Sequence, residues 1–368
     1  MQTFDPIIKK PEPDFSELTG VLKGEIKPLK VYPVELSVDE EILSEISEMF
    51  LGKKWVIKSR ETLEEYYRQK VDIYFRLGYD GVLEGMWRDS WINHPALGST
   101  KTEDTAGKLS RGQREWANEG VGIIDSWESF EAFPWDKISA DYEAYEMMAR
   151  HLPDGMMLYA SSSLYEHVQE IILGYRGIFY KIYDEPELVK AVFDRWGALV
   201  LDFYKNIVDF DSIGAIWHAD DLGYTTTTHL SPEHFEEYVF PWIRKYASVT
   251  HEHGKMFMLH ACGNFYNNGI IETLINDIGV DVIHSFQDTI IPIPQALEKY
   301  GSKIAMIGGV DVDNLCRMHD VQLREYCQNI LAQCMPKRFA FGSGNTVTNY
   351  VPLENYLIML DEGRKWKG

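Results

Sequence analysis

The chain has 368 residues, 45% of them hydrophobic and 25% charged, an ordinary balance for a soluble globular protein that excludes disorder, collagen-like repeats and a small disulfide scaffold. Asp and Glu (57) outnumber Lys and Arg (36), for a formal charge of −21. With no Lys/Arg-rich run to offset it, neither nucleic acid nor an anionic membrane is an expected partner. The four cysteines, Cys262, Cys316, Cys327 and Cys334, form no Cys-x-x-Cys. No window has the apolar length of a signal peptide or a membrane span, so a reducing cytoplasm is the expected location.

In chain order, residues 1–36 read as an irregular arm rich in Pro and Lys. Ser37 followed by Glu40 is a capping-box pattern, and Ile42, Leu43, Ile46, Met49 and Phe50 recur at helical spacing. A second helix from Glu61 carries Tyr67, Val71, Tyr74 and Phe75. From residue 80 short apolar runs alternate with longer helical segments. The runs are 81–86, 120–124, 155–159, 213–217, 255–259, 280–283, 303–307 and 338–341. They are apolar almost throughout, as strands buried on both faces should be. Between them, 186–203 sets Leu188, Val192, Trp196, Leu199 and Phe203 on one stripe. Ser231-Pro232-Glu233 is a strong helix start, and Pro241 should disturb that helix. Eight alternations predict an α/β protein, a (β/α)8 TIM barrel (80–368) behind an N-terminal arm and helical cap (1–79). No GxGxxG follows a strand, which disfavours a dinucleotide fold.

In such barrels the chemistry sits at the C-terminal ends of the strands. Those ends read Trp87-Arg88-Asp89-Ser90-Trp91, Asp125-Ser126-Trp127-Glu128, Ser161-Ser162-Ser163, His218-Ala219-Asp220-Asp221, His260-Ala261-Cys262-Gly263-Asn264, His284-Ser285-Phe286-Gln287, Gly308-Gly309-Val310-Asp311 and Gly342-Ser343-Gly344-Asn345. His260 and Cys262 stand two apart on a strand and so share a face; an imidazole beside a thiolate is half of a zinc site, or else a buried histidine beside an apolar cysteine. His218 and Asp220 have the same spacing and form a candidate acid–base pair.

Five stretches resemble the uroporphyrinogen decarboxylase superfamily, which includes the corrinoid-dependent methyltransferases. They are Tyr183-Asp184-Glu185-Pro186-Glu187-Leu188, Leu230-Ser231-Pro232-Glu233, Leu259-His260-Ala261-Cys262-Gly263-Asn264, Gly308-Gly309-Val310-Asp311, and Gly342-Ser343-Gly344-Asn345 followed by Val351-Pro352-Leu353-Glu354-Asn355. Decarboxylases of this superfamily grip porphyrin carboxylates with an Arg-Gln-Ala-Gly-Arg motif, where this chain has the acidic-aromatic Trp87–Trp91 stretch. Methylcobamide:thiol methyltransferases use His-x-Cys and a distant Cys for zinc; His260 and Cys262 match, but Ser343 stands where the second Cys is expected. The first methyltransferase of O-demethylase systems is similar and carries Glu-x14-Glu-x20-His, which Glu131, Glu146 and His167 reproduce. Both ligand sets, that trio and the His260/Cys262 pair, stay open.

The resemblance implies methyl transfer from a phenyl methyl ether to Co(I) of a separate corrinoid (cobalamin-type) protein, with zinc or a general acid assisting the phenolate. His260, His218 and His284 are the candidate proton donors, oriented by Asp220 or Asp221. Trp87, Trp91, Trp127, Trp217 and Tyr224 are candidates for an aromatic slot, with Gln287 and Asn264 as polar contacts. Residues 98–119 suit a lid or a docking surface for the corrinoid protein. A related lyase acting on a small aromatic acid, or a non-catalytic binder, are the alternatives.

Overall fold

A computed structural model describes residues 5–86, 99–117, 120 and 122–367. The apolar runs become parallel strands because each is covered on both sides, by barrel interior and by helices. Strand β1 (Gly81–Gly85) is followed by a separate antiparallel hairpin, β2 (Ser99–Glu103) and β3 (Gln113–Ala117). Then come β4 (Met157–Ser161), β5 (Ile213–Ala219), β6 (Met256–His260), β7 (Val282–His284), β8 (Ala305–Val310) and β9 (Phe339–Ser343). One curled sheet runs β1-β4-β5-β6-β7-β8-β9 with every pairing parallel. Helices connect its strands, which gives a fold of the TIM-barrel type. Among the described residues no helix is long and apolar enough to cross a membrane.

Among the described residues seven strands, not eight, make this sheet. The described residues of the expected second strand at 120–124 form none: Ile123 and Ile124 donate their N–H groups to the carbonyls of Ile171 and Ile172, at the end of the helical turn after β4. Gly122 lies so close to that turn that a Cβ would sit 2.1 Å from the Leu173 carbonyl carbon. On the edge of β9 that β8 does not use, Phe341 N–H donates to the Tyr32 carbonyl (2.9 Å) and Val34 N–H to the Phe341 carbonyl (3.0 Å). Residues 32–34 therefore add a short stave to the barrel.

The expected irregular arm holds a helix, α1 (Phe15–Lys23). Asp14 caps it by accepting from Glu17 N–H, and Gly24 ends it with φ 77°. Its apolar face (Phe15, Leu18, Val21, Leu22) joins Tyr159, Trp217, Met256 and Met258 in the barrel interior. At roughly 1.5–3 kcal/mol per buried side chain, α1 is a substantial part of the core. Two further helices, α2 (Glu40–Leu51) and α3 (Leu63–Arg76), pack through the stripes read from sequence. Helix α2 starts without the capping box. Ser37 instead pairs with Thr346 (2.9 Å), and the Asp39 carboxylate accepts from Asn349 N–H (2.9 Å). The helix begun by Ser231-Pro232 winds as a π-turn over Phe235–Val239 before Pro241, the disturbance expected of a residue with no N–H.

Candidate active site

Alternation along the strands decides which side chains reach the mouth. In β6, Met256 and Met258 point into the barrel, so His260 does too; in β7, Val282 points inward and His284 follows. The two histidines are paired in register across the strands, and their Nδ1 atoms are 2.7 Å apart. The protons on this contact follow from its surroundings. His284 Nε2 lies 3.0 Å from the Ser343 carbonyl oxygen, which can only accept. Burial, together with the neighbouring His260, lowers His284 to about 3, so it is neutral and carries its single proton on Nε2. Its Nδ1 therefore accepts, and His260 Nδ1–H donates. The remaining nitrogen of His260, Nε2, is left with a free lone pair when that ring is neutral.

That lone pair meets two further donor atoms. Asp221 Oδ1 lies 3.5 Å from His260 Nε2, and Cys262 Sγ lies 3.7 Å from it. The loops after β5 and β6 bring them together. Cys262 N–H donates to Asp221 Oδ1 (2.9 Å), and Leu222 and Gly223 N–H both donate to the Cys262 carbonyl. Gly263 makes this approach possible: at φ +102° a Cβ would sit 2.3–2.5 Å from the Gly223 backbone. Among the described residues, Asp221, His260 and Cys262 are the one group of three donors whose atoms all lie within 4.8 Å of one another.

The set fits zinc. Tetrahedral bonds of about 2.0–2.3 Å require N···O and N···S edges of about 3.4 and 3.6 Å, against the 3.5 and 3.7 Å found. Three protein ligands leave a fourth position for substrate, the pattern of catalytic rather than structural zinc. The charges agree. Burial works to raise Asp221, but the hydrogen bond and charge of a protonated His260, with the hydrogen bonds from Cys262, outweigh it and hold the carboxyl at about 2; a cation bound by the neutral ring's lone pair takes the place of that proton. Burial and the Asp221 charge push the Cys262 thiol well above its ordinary value, a strain that a divalent cation relieves. Burial and the charge of Asp221 likewise raise Glu166, just past β4, which favours its protonated form.

The other expected residues are placed differently. His218 and Asp220 face outward from β5. His218 Nε2–H donates to Asp220 (2.8 Å), Tyr204 OH donates to His218 Nδ1 (2.8 Å), and Asp220 accepts from Leu164 and Glu166 N–H. The pair is fully buried behind the wall, where it fixes the turn that carries Glu166. The Glu131/Glu146/His167 set does not converge. Glu131 and Glu146 are exposed on α4 (Trp127–Ala132) and α5 (Glu143–Ala149), while His167 packs on Trp196, 3.0 Å from the Ser163 carbonyl. Burial holds His167 down to about 4.

Of the aromatic slot, Trp87 and Trp91 lie outside the described residues. Trp127 is 44% exposed against Phe130. Trp217 is buried inside the barrel, edge-on to His284 at 5.4 Å, and so forms the floor of the site. Tyr224 stands at the rim on His229. Asn264 is half-buried with its Oδ1 unpartnered, and Gln287 is half-buried just past β7. Residues 99–117 form the hairpin, fastened to α2 by Arg111 through Asp39 and Glu41. Glu166 was missed as a site residue because nothing in its local sequence marks a carboxyl that will be buried beside another.

The family model described as Uroporphyrinogen decarboxylase (URO-D) matches residues 132–366. The chain belongs to the uroporphyrinogen decarboxylase family. Among solved structures it is similar to a methyltransferase from Methanosarcina mazei, at 14% identity and a TM-score of 0.66, covering 96% of this chain and 98% of that one. A B12-independent methionine synthase from Shewanella sp. W3-18-1, in complex with selenomethionine, is similar at 9% identity and a TM-score of 0.50, covering 99% and 97%. These likenesses show the fold. No match was found among curated protein sequences. The family segment contains every part of the Asp221/His260/Cys262 cluster and also Glu166, whose carboxyl burial and the Asp221 charge raise.

Proposed function

We propose that this family member is a zinc-dependent methyltransferase that moves a methyl group from a methoxylated aromatic to Co(I) of a partner corrinoid protein. The observation that carries it is the ligand geometry: at the barrel mouth His260 Nε2 stands 3.5 Å from Asp221 Oδ1 and 3.7 Å from Cys262 Sγ, the two edges a zinc tetrahedron requires at that nitrogen, with all three donor atoms within 4.8 Å of one another. The Methanosarcina mazei structure, a methyltransferase sharing the fold across nearly its whole length, supports the same reaction class. Porphyrin decarboxylation fits poorly, because a polycarboxylate would enter a mouth where burial and the charges of Asp221, Glu170 and Asp220 already raise Glu166.

The difficulty in cleaving an aryl methyl ether is the leaving oxygen, whose conjugate acid has a pKa of about 10 by analogy with tyrosine. The chemistry that zinc supplies at this ligand set is Lewis-acid polarisation of that oxygen. The protein's own groups do the rest. His284 and the Ser343 carbonyl hold the His260 tautomer. Glu166, whose protonated form burial and Asp221 favour, gives the phenolate its proton as the methyl–oxygen bond breaks, and His218–Asp220 fixes the turn it stands on. Tyr224 offers a ring face at the rim, and the unpartnered Asn264 Oδ1 accepts from a ring hydroxyl. The test mixes the zinc-loaded protein with a corrinoid protein reduced to Co(I) and a panel of methoxyphenols. Methyl-Co(III) spectra with stoichiometric phenol release are expected. Silence with a corrinoid protein shown competent by another methyltransferase would overturn the assignment.

A further inference from the structure

Glu35 lies on the N-terminal segment, far in sequence from the mouth and outside the family match, yet it is buried against the last strand. Gly342 lets it approach: a Cβ there would sit 2.0 Å from the Val34 carbonyl oxygen and 3.1 Å from Glu35 Oε1. Ser343 N–H donates to Glu35 Oε1 (3.0 Å), and the Ser343 hydroxyl contacts both the Glu35 carboxyl and the Asn345 carbonyl oxygen. A hydroxyl has one proton, and the Asn345 carbonyl can only accept. Ser343 Oγ–H therefore goes to Asn345, and a neutral Glu35 donates to Ser343 Oγ. Burial, which pushes Glu35 up to about 8, agrees. Ser343 thus turns its side chain toward the N-terminal segment rather than serving as a ligand.

From this junction two arms reach the metal ligands. The Ser343 carbonyl accepts from His284 Nε2–H (3.0 Å), and His284 Nδ1 accepts from His260 Nδ1–H (2.7 Å). Asn345 Nδ2 donates to Cys262 Sγ (3.1 Å). Sulfur that accepts a hydrogen bond is better held as thiolate, and an imidazole fixed through its other nitrogen binds metal more tightly. We propose that Glu35 is a positioning residue, which through Ser343 holds His260 and Cys262 together in the arrangement that binds the metal. The proposal rests on the zinc assignment above.

The experiment measures affinity for Zn(II) by competition with a chromophoric chelator, and the thiolate-to-metal charge-transfer band of the Co(II)-substituted protein, using the full chain. Cys262→Ala tests the underlying site: if the wild type binds no more zinc than this variant, the zinc assignment falls and takes the proposal with it. If the wild type binds, Glu35→Met should weaken zinc affinity by about 10–100-fold and shift the cobalt band. Glu35→Gln, whose amide accepts and donates as the neutral carboxyl does, should stay within about 3-fold of the wild type by the same comparison. A merely structural role would lower the unfolding temperature of Glu35→Met and leave its zinc affinity unchanged; that result overturns the proposal and spares the site. Glu35→Gln binding as weakly as Glu35→Met would overturn it too, by showing that charge rather than hydrogen bonding matters. Should Glu35→Met fail to fold, Ser343→Ala decides: weaker zinc binding at unchanged melting temperature supports the linkage, and unchanged affinity refutes it.

Discussion

Gly308 is where the candidate site is most sharply exposed to a single methyl group. It lies in β8 with φ +95°, and a Cβ there would come within 2.6 Å of the Ser343 carbonyl oxygen and 2.8–3.0 Å of the His284 ring. Those are the two partners whose hydrogen bond fixes His284. Gly308→Ala thus carries two costs. Backbone strain at this φ is about 1–3 kcal/mol, and a disrupted buried hydrogen bond adds about 0.5–1.5 kcal/mol. The total of about 2–4 kcal/mol should lower the apparent thermal midpoint by roughly 4–10 °C. Gly254→Ala is the control, because Gly254 also has a positive φ (+71°) but nothing within 4 Å of a built Cβ. It feels the strain without the collision. Differential scanning fluorimetry and zinc competition on both variants should show Gly308→Ala the less stable, with zinc affinity reduced only there. Equal stabilities, or zinc affinity untouched in Gly308→Ala, would refute the placement of His284 behind His260.

Asp221→Ala removes one of three ligands and should weaken zinc binding beyond the about 10–100-fold loss expected of an outer hydrogen-bonding partner, as read by chelator competition. Glu166→Gln keeps the shape but not the transferable proton, so kcat for phenol release should fall about 10²-fold or more while KM changes little; an unchanged kcat would remove Glu166 from the chemistry. Glu35, buried and raised from 4.5 to about 8, takes up a proton on folding between those values. A raised folded pKa means that its stability contribution is complete below the unfolded pKa and is lost as pH rises through the folded one. The Glu35 contribution should therefore decline from pH 5 to pH 8 against the opposite slope of buried His167 and His284, so the stability of Glu35→Gln relative to the wild type should rise over that range in urea titrations.

The barrel was legible because its strands are buried on both faces: 155–159, 213–217, 255–259, 280–283, 303–307 and 338–341 each contain or overlap an observed strand, as does 81–86. The run 120–124 has the same apolar character, but its amides bond to a helical turn, a partner that composition does not reveal. Helix α1 was hidden among prolines and lysines although Asp14 and Glu17 mark its start. In the site, spacing two apart showed that His260 and Cys262 share a face, as do His218 and Asp220. It did not show which face. Trp217 occupies the inward parity of β5, which sends His218 outward. The interval Glu131, Glu146, His167 counts residues along the chain, whereas ligands are gathered by loops; α4 and α5 carry the two glutamates into solvent. Asp221 was among the candidates as an orienting acid, and its role as ligand depends on two loops bonding to each other, which needs coordinates.

The pairing of residues 32–38 with β9 and the loop after it joins parts of the chain about three hundred positions apart: Tyr32 and Val34 bond Phe341, Ser37 and Asp39 bond Val347, and Arg338 donates to the Leu22 carbonyl. On the ribosome the N-terminal partners are made long before the C-terminal ones exist. Helix α1 meets Tyr159, Trp217 and Met256 earlier, but its apolar face is fully covered only once Ile307 and Ala340 have emerged, and loop-closure entropy makes such distant pairings late events. The sheet is thus extended past β9 by an early-made segment in one of its last steps, and a nascent chain stalled before residue 338 should be a good client for chaperones that bind exposed apolar helices.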